Sequence, residues 1–407
     1  MLTLRLAFRN LLRHKSRSLL CAMSMMGAYV LFSISLGFSD GSYGNLIRML
    51  TDTHSGHVQI HKNGYLERPS LFRNFIISPV LKKQLSANPE IEAWAARIFS
   101  AVLIFRENKS TIARLMAIDP EQEAQVTTMR EKVQAGKYLS EEADVINPIL
   151  LGVHLQKLLQ AKLGETLIFV GQGADGSIAN DLFTVVGIVG KSSADAESRM
   201  IYMTLESAQE FLSLGGRIHE VVLRLENYSV ARKQAADLQE HLKNKELDVQ
   251  PWQVVEEQFY KAMLADQQGN WISQAIIMLI VGLVVLITVL MNSFERRHEY
   301  GLLLALGTPP GFIFRSIIVE MTLLSILSVF VGLFFSIGLN LYFTLNGIAI
   351  EPPMEYGGVV FSTMSSEVSL FVLFVPAVFT IGVAFLVAFF PAIKSARAIP
   401  IEAMREN

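Results

Sequence analysis

Trp271-Ile-Ser-Gln-Ala-Ile-Ile-Met-Leu-Ile-Val-Gly-Leu-Val-Val-Leu-Ile-Thr-Val-Leu-Met-Asn-Ser-Phe294, followed at once by Glu295-Arg-Arg-His-Glu-Tyr300, decides how this chain is read. From Ile272 to Phe294 there is no charge. A bilayer core accepts a helix of about 20 apolar residues, because only a helix satisfies its own backbone polar groups there. Three further runs meet the same condition: Leu19–Ser39, Ile317–Leu345 and Val368–Phe390. They explain why 51% of the 407 residues are hydrophobic, more than a soluble domain usually carries. The reading is an integral membrane α-helical protein with four transmembrane helices. A large α+β domain lies between the first and second.

The flanks orient the spans. Arg5, Arg9, Arg13, Lys15 and Arg17 precede the first, and Arg296, Arg297 and Arg315 lie between the second and third. Lys394, Arg397 and Arg405 follow the fourth, whereas Asn346–Glu367 holds Glu351, Glu355 and Glu367 and no basic residue. Basic flanks stay on the cytoplasmic side, so both termini and residues 295–316 are expected inside a bacterial inner membrane. The expected division is 1–18, a cytoplasmic amphipathic helix; 19–39, the first span; and 40–270, a periplasmic domain. Then come 271–294, the second span; 295–316, a cytoplasmic helix and loop; and 317–345, the third span. Residues 346–367 form a periplasmic loop, 368–390 the fourth span, and 391–407 a cytoplasmic tail. The basic start before an apolar run has a signal peptide's outline, but the run is too long and lacks a small-residue cleavage site. Arg5, Arg9 and Arg13 recur every four residues among Leu4, Phe8, Leu11 and Leu12, as in a helix lying in the headgroup layer; topology-setting charge is the plainer account.

Within 40–270, short β-rich runs at His57–His61, Ala101–Phe105, Thr166–Val170, Phe183–Val189 and Glu220–Leu225 alternate with helical patterns. The helical patterns are Pro79–Asn88, Gly152–Leu163, Leu205–Leu214 and Val230–Asn244. The order suggests two lobes parted near residues 120–145. From Val254 a helical pattern without proline runs into the second span, predicting one stalk helix that could carry motion; a span with a frayed polar top is the alternative. Pro376 is expected to bend the fourth span.

Several motifs fail on context. Gly171-Gln-Gly-Ala-Asp-Gly176 matches G-x-G-x-x-G, but Phe183-Thr-Val-Val-Gly-Ile-Val189, a strand, follows where a dinucleotide site needs a helix. It reads as a hairpin turn. Gly190-Lys-Ser192 lacks the first glycine of a phosphate-binding loop. The single cysteine, Cys21, excludes an internal disulfide, and no His/Cys set spells a zinc site. No H-E-x-x-H or G-x-S-x-G occurs, so the chain is expected to be no catalyst, to hold no metal and to bind no cofactor itself. A formal net charge of -2 gives no footing for nucleic acid. Glu320, an acid inside the third span, is costly in a bilayer; a structural pairing, for example with Arg315, and a transport role weigh equally.

Glu295-Arg-Arg-His-Glu-Tyr-Gly-Leu-Leu-Leu-Ala-Leu-Gly307 is short, charged and closed by Gly307 and Pro309-Pro310. It is either a loop helix lying on the membrane or a docking helix for a cytoplasmic partner. Its Glu295, Glu299, Gly301, Leu304, Ala305 and Gly307 resemble the E-x-x-x-E-x-G-x-L-x-A-x-G signature of FtsX-like, MacB-type (type VII) ABC transporter permeases. Ala7-Phe-Arg-Asn-Leu-Leu-Arg13 is similar to that family's opening helix. Pro391-Ala392 with Pro400-Ile-Glu-Ala-Met-Arg405 resembles its ending, with Met404 where leucine is usual. Ser55-Gly-His-Val-Gln-Ile60, Leu150-Leu-Gly152, Gly164-Glu165, Val186–Val189 with Asp195, Ala208-Gln209 and Trp252 resemble the lipoprotein-releasing branch most. Gly164-Glu165 stands where that branch usually has Gly-Asp.

The resemblance implies a permease subunit that transmits force to release lipoproteins. Its partners would be a cytoplasmic ABC ATPase dimer holding ATP and Mg, a second permease copy or paralogue, a periplasmic carrier or adaptor, and membrane lipid. Glu295, Arg296, Arg297, Glu299, Tyr300, Gly301, Leu304 and Gly307 would seat on the ATPase. Met263, Leu264, Ile272 and Ile276 are the candidates for sheltering the cargo's acyl chains. Same-family efflux of a peptide or small hydrophobic molecule, FtsX-like regulation of a periplasmic hydrolase, and a sensor without an ATPase are the rivals.

Overall fold

The computed structural model describes residues 15–141, 145–190, 196–242, 244–295, 297–356 and 359–396. The opening amphipathic helix up to residue 14, Arg296, the Lys191–Asp195 stretch and the ending beyond Ala396 lie outside them. The elements run in chain order as follows. Helix α1 (Lys15–Leu50) continues through a π-helical turn (Thr51–Ser55) into β1 (Val58–Lys62), α2 (Pro79–Ala87), β2 (Ile91–Arg106) and β3 (Lys109–Ile118). Next come α3 (Pro120–Val126), β4 (Val133–Gly136), β5 (Pro148–Gly152), α4 (Val153–Leu159), β6 (Thr166–Gln172) and β7 (Ile178–Val189). They are followed by β8 (Met200–Thr204), α5 (Leu205–Phe211), β9 (Glu220–Leu225), α6 (Ala231–Leu242), β10 (Leu247–Pro251) and α7 (Trp252–Val255). The chain closes with α8 (Glu257–Glu295), α9 (Arg297–Ala305), α10 (Pro310–Asn346), β11 (Ile348–Tyr356), β12 (Val359–Met364) and α11 (Leu370–Ala396).

Among the described residues, helices α1, α8, α10 and α11 are the four long and apolar enough to cross a membrane. Helices α1, α8 and α10, of 36, 39 and 37 residues, outrun their apolar runs. At about 1.5 Å per residue each is longer than a hydrocarbon core of about 30 Å. Two compact units result. One holds residues 1–44, 265–350 and 363–407; the other holds 45–264 and 351–362.

The helical unit is joined by small and polar residues. Along α1, Ser33, Gly37 and Gly41 meet α10 and the start of α11. A β-carbon on Gly37 would lie 2.5 Å from the Ser366 Oγ, and one on Gly41 2.5 Å from the Ser365 carbonyl oxygen. The Ser33 hydroxyl lies 2.6 Å from that of Ser336 and donates to the Val372 carbonyl at 2.9 Å. That carbonyl has no helical donor because Pro376, four residues on, lacks an N–H. Helix α11 therefore continues through its proline, with Ser33 replacing the lost bond. Asn340 is fully buried; its amide donates to Ser33 and Ser336, and its oxygen accepts from Ser366 at 2.6 Å. Between helices in lipid, such small and hydrogen-bonding residues supply the packing that the hydrophobic effect cannot.

The α+β unit is a ten-stranded mixed sheet, ordered β10-β1-β9-β2-β3-β8-β5-β7-β4, with β6 joining β2 to β7. Its helices start where local chemistry says they should. Ser78 accepts from Leu81 N ahead of Pro79, Asp119 accepts from Glu121 N and Gln122 N ahead of Pro120, and Thr204 caps α5. The two-lobe expectation is corrected. β2 is 16 residues long, so its first half pairs with β9 while its second half pairs with β6, and β3 runs alongside from Arg97 on. No single cut separates lobes, because β3 to β8 are inserted between two strands of one sheet. Gly171–Gly176 is a hairpin: Gly171 pairs with Ala179 and Gln172 with Ile178, and Gly176 has φ +87°.

Helix α8 runs unbroken from Glu257 to Glu295, and only the start of the stalk is corrected. The helix does not start at Val254, since Glu256 (φ -103°, ψ 49°) separates α7 from α8. Trp252 causes the break. It is 2% exposed and held edge-on between Phe259 and Tyr260, so the chain must turn around it.

Candidate functional site

The segment after the second span folds as α9 and ends on Gly307, whose φ of +87° is a backbone state that side chains resist. Gly307 N donates to the Leu304 carbonyl and Thr308 N to that of Leu303, satisfying the last turn. Tyr300 is buried against Val285, Val289, Ile313, Ile317 and Ala388, with Leu304 packed beside it and Gly301 buried too. These three were expected to contact an ATPase. The structure turns them into the bundle, where they hold α9 in place. Glu295 and Glu299 are exposed, and so are Leu302 (49%), Leu303 (40%) and Leu306 (75%), leucines the sequence had not marked. Arg297 opens the helix.

Of the four cavity candidates, Met263 is corrected: it is 3% exposed and buried inside the α+β unit. Leu264, Ile272 and Ile276 are exposed, at spacings that are multiples of four on α8. A pocket of about 150 Å³, which none of these four residues lines, opens between α1, α8 and the start of α11. Leu36, Trp271 and Phe371 give it apolar walls; Ser39, Asp40, Tyr43, Gln267, Asn270 and Gln274 give it polar ones. An open groove of about 430 Å³, almost wholly apolar, runs between Met278, Leu279, Leu283 and Leu286 of α8 and Phe379, Val383 and Val387 of α11.

One wall of the pocket is a ladder that sequence reasoning missed. Ser35 donates to Gln274 Oε1 at 3.2 Å, and Gln274 returns a bond to the Ser35 carbonyl at 3.3 Å. Asn270 donates to Ser39 Oγ, and Tyr43 donates to Asp266 at 2.7 Å. Positions 35, 39 and 43 thus meet 274, 270 and 266. The signal was available: polar residues repeat every four positions on both helices, so each set lies on one helical stripe.

In the α+β unit a buried ion network grips the chain as it leaves α1. Arg97, 2% exposed, makes a two-pronged contact with Glu123 at 2.5 and 3.0 Å and a third with Glu220 at 3.2 Å. It also donates to the His54 carbonyl in the π-helical turn at 2.6 Å. Burial alone would lower the Arg97 pKa, but Glu123 and Glu220 raise it. Glu220 also lies 3.3 Å from His61, which stacks on Tyr65. Burial raises the Glu220 carboxyl, and the bond from His61 together with Arg97 reverses that and lowers it. Gln59 donates to the Ser55 carbonyl at 2.7 Å and Trp252 N to that of His57 at 3.0 Å. Within the α+β unit, Ser55 is therefore tied to β1 and Trp252 to the residue just before β1.

Glu320 is 2% exposed on α10, among buried Ile317, Met321 and Leu324. Its side chain turns into the bundle rather than out to an interface. Among the described residues no group of three or more His, Cys, Asp or Glu is placed to hold a metal ion.

Comparison with known proteins agrees with this architecture. Residues 18–241 match the MacB-like periplasmic core domain and residues 271–400 the FtsX-like permease C-terminal model. The lipoprotein-releasing system transmembrane protein LolC of Neisseria meningitidis serogroup B is 20% identical over 401 residues, covering 94% of this chain and 92% of the relative. The periplasmic region of MacB from Actinobacillus actinomycetemcomitans superposes with a TM-score of 0.37 at 20% identity, over 52% of this chain and 94% of that one. The extracellular domain of the noncanonic ABC-type transporter YknZ from Gram-positive bacteria gives 0.35 at 12% identity, over 48% and 100%. With a family model spanning more than half its length, and four apolar helices around an inserted α+β domain, the chain belongs to the family of MacB-type, FtsX-like ABC transporter permeases.

Proposed function

We propose that this chain is the permease subunit of an ATP-driven complex that releases lipoproteins from the outer leaflet of a bacterial inner membrane by transmitting force. The observation that carries the reading is the end-to-end correspondence with a LolC protein, which covers spans and inserted domain alike. The geometry supports it. The pocket between α1 and α8 is apolar on one side and polar on the other, as an acylated, polar-headed cargo requires. The apolar groove between α8 and α11 offers acyl chains a place to lie. Each acyl CH₂ leaving lipid costs roughly 0.8 kcal/mol, so release needs an energy source.

In this reading both termini and α9 are cytoplasmic and the α+β domain is periplasmic, following the basic flanks. Glu295, Glu299, Leu302, Leu303 and Leu306 present the surface on which a separate ABC ATPase seats. ATP-driven closure then moves α8, and with it the Trp252 segment from which that helix starts. The match to a MacB-like core also favours a second reading, export of a peptide or small hydrophobic molecule by the same mechanics.

The test is purification of tagged protein from native membranes, followed by mass spectrometry. An ABC ATPase and acylated proteins are expected to co-purify. Vesicles holding the purified complex and a labelled lipoprotein should then release it on ATP addition. ATP hydrolysis with no release of any lipoprotein would overturn the first reading and leave export.

A further inference from the structure

The two faces of α1 are built differently, and the difference says which helix can move. Toward α10 and α11, α1 is keyed without slack. Gly37 and Gly41 have no room for a β-carbon, the Gly37 carbonyl accepts from Glu367 N at 3.0 Å, and Ser33 is bonded to both partner helices. Ser33, Gly37 and Gly41 also recur every four residues, but the backbone groups they meet, the Val372 carbonyl, Glu367 N and the Ser365 carbonyl, do not, so a slide on that face would break those contacts. Toward α8 the contact is the ladder of Ser35, Ser39 and Tyr43 on Gln274, Asn270 and Asp266, which repeats every four residues on both sides. A repeating contact can be remade one turn away.

We propose that α8 slides against α1 by one helical turn, about 5.4 Å, between two registers that this ladder defines, while α1, α10 and α11 stay together. The inference deepens the force-transmitting reading above and rests on it for its purpose, though not for its geometry.

Desolvation sets the direction. If α8 moves toward the C-terminal end of α1, Gln274 comes level with Ser39 and Asn270 with Tyr43. Two polar rungs are then remade. Asp266, already exposed, moves beyond Tyr43, and Ser35 can return its hydroxyl to its own helix as Ser24 and Ser328 do. In the opposite direction Asn270 and Asp266 would come level with Ser35 and Ser39, but the buried Gln274 amide would come level with Leu31, an apolar neighbour, and an unpaired amide in hydrocarbon is expensive. The slide therefore runs one way from the structure described here.

Oxidative trapping tests this in membranes with Cys21, the only cysteine, replaced by serine. Three double variants of the full chain are compared: S39C/N270C for the observed register, S39C/Q274C for the slid register, and S39C/D266C for one turn the other way. With copper phenanthroline as the oxidant, the first pair is expected to close fastest. The second should close at least ten-fold faster than the third, although both start one turn out of register. Equal rates for the second and third pairs would overturn the proposal. So would closure of the first pair alone. Each variant's membrane level is measured by immunoblot, and trapping is scored as a fraction of that level, so a poorly inserted variant cannot mimic a result. A repeat with ATP and vanadate separates the two readings. A ladder that slides without responding to nucleotide keeps this inference and counts against the ATP-driven one.

Discussion

Acid should loosen the α+β unit through His57, and the size of the effect follows from its surroundings. His57 is 5% exposed, and its Nδ1 accepts a hydrogen bond from Leu225 N at 2.9 Å. A protonated ring would place a second donor against that N–H. Burial, then Arg224, lower its pKa from 6.5 to about 4. A lowered histidine pKa means the folded state favours the neutral ring, so this contribution is complete above about 6.5 and is lost as pH falls toward about 4. The full shift is worth about 3 kcal/mol at about 1.4 kcal/mol per unit. Between about pH 7 and about pH 5 the loss is about 2 kcal/mol. The replacement is His57→Asn, whose side-chain oxygen can accept the same bond but cannot titrate. Urea unfolding of the full chain in detergent, followed by tryptophan emission, reports on the unit through Trp94 and Trp252, the latter bonded to the His57 carbonyl. His219 is also lowered by burial and stays in both proteins, so the difference between them isolates His57. The native chain should lose about 2 kcal/mol more than the variant over that interval. Parallel pH profiles would refute the reasoning.

Four further outcomes are expected. Arg97→Met leaves Glu123 and Glu220 buried without their cation and should cost about 3–5 kcal/mol of stability in the α+β unit by urea titration. Gly37→Leu drives a side chain into Asn340 and Ser366 and should cost about 1–3 kcal/mol or more in the helical unit, read as a lower thermal midpoint in detergent with the α+β unit unaltered. Glu295→Lys with Glu299→Lys should abolish co-purification of the ATPase; undiminished recovery would remove these carboxylates from the docking surface. Ile272→Asp or Ile276→Asp should stop lipoprotein release while the ATPase still co-purifies. Normal release would place the cargo elsewhere.

The residues of the proposed site were legible in the sequence to different degrees, and the physics says why. Glu295 and Glu299 stood out because a charged cluster directly after an apolar run is visible locally. Which side of α9 faces the bundle was not visible, since Leu302, Leu303, Leu304 and Leu306 are alike in composition and only packing separates Leu304 from the rest. Met263 and Leu264 were read together, yet adjacent residues on a helix point about 100° apart, and one is buried while the other is exposed. The strands β3, β5, β8 and β10 escaped notice because short apolar runs do not distinguish strand from helix until a partner strand claims them.

By itself the sequence determined the four spans, the inserted α+β domain, the glycine hairpin and the helices that start at Pro79 and Leu205. Each depends on hydropathy, capping or turn chemistry acting within a few residues. Only the tertiary structure decided that the sheet is continuous, that Arg97 collects Glu123 and Glu220 from 26 and 123 residues away, and that Ser35, Ser39 and Tyr43 meet α8 some 223 to 239 residues further on. Those contacts are chosen by which faces the folded helices and strands bring together, and no local propensity carries that information.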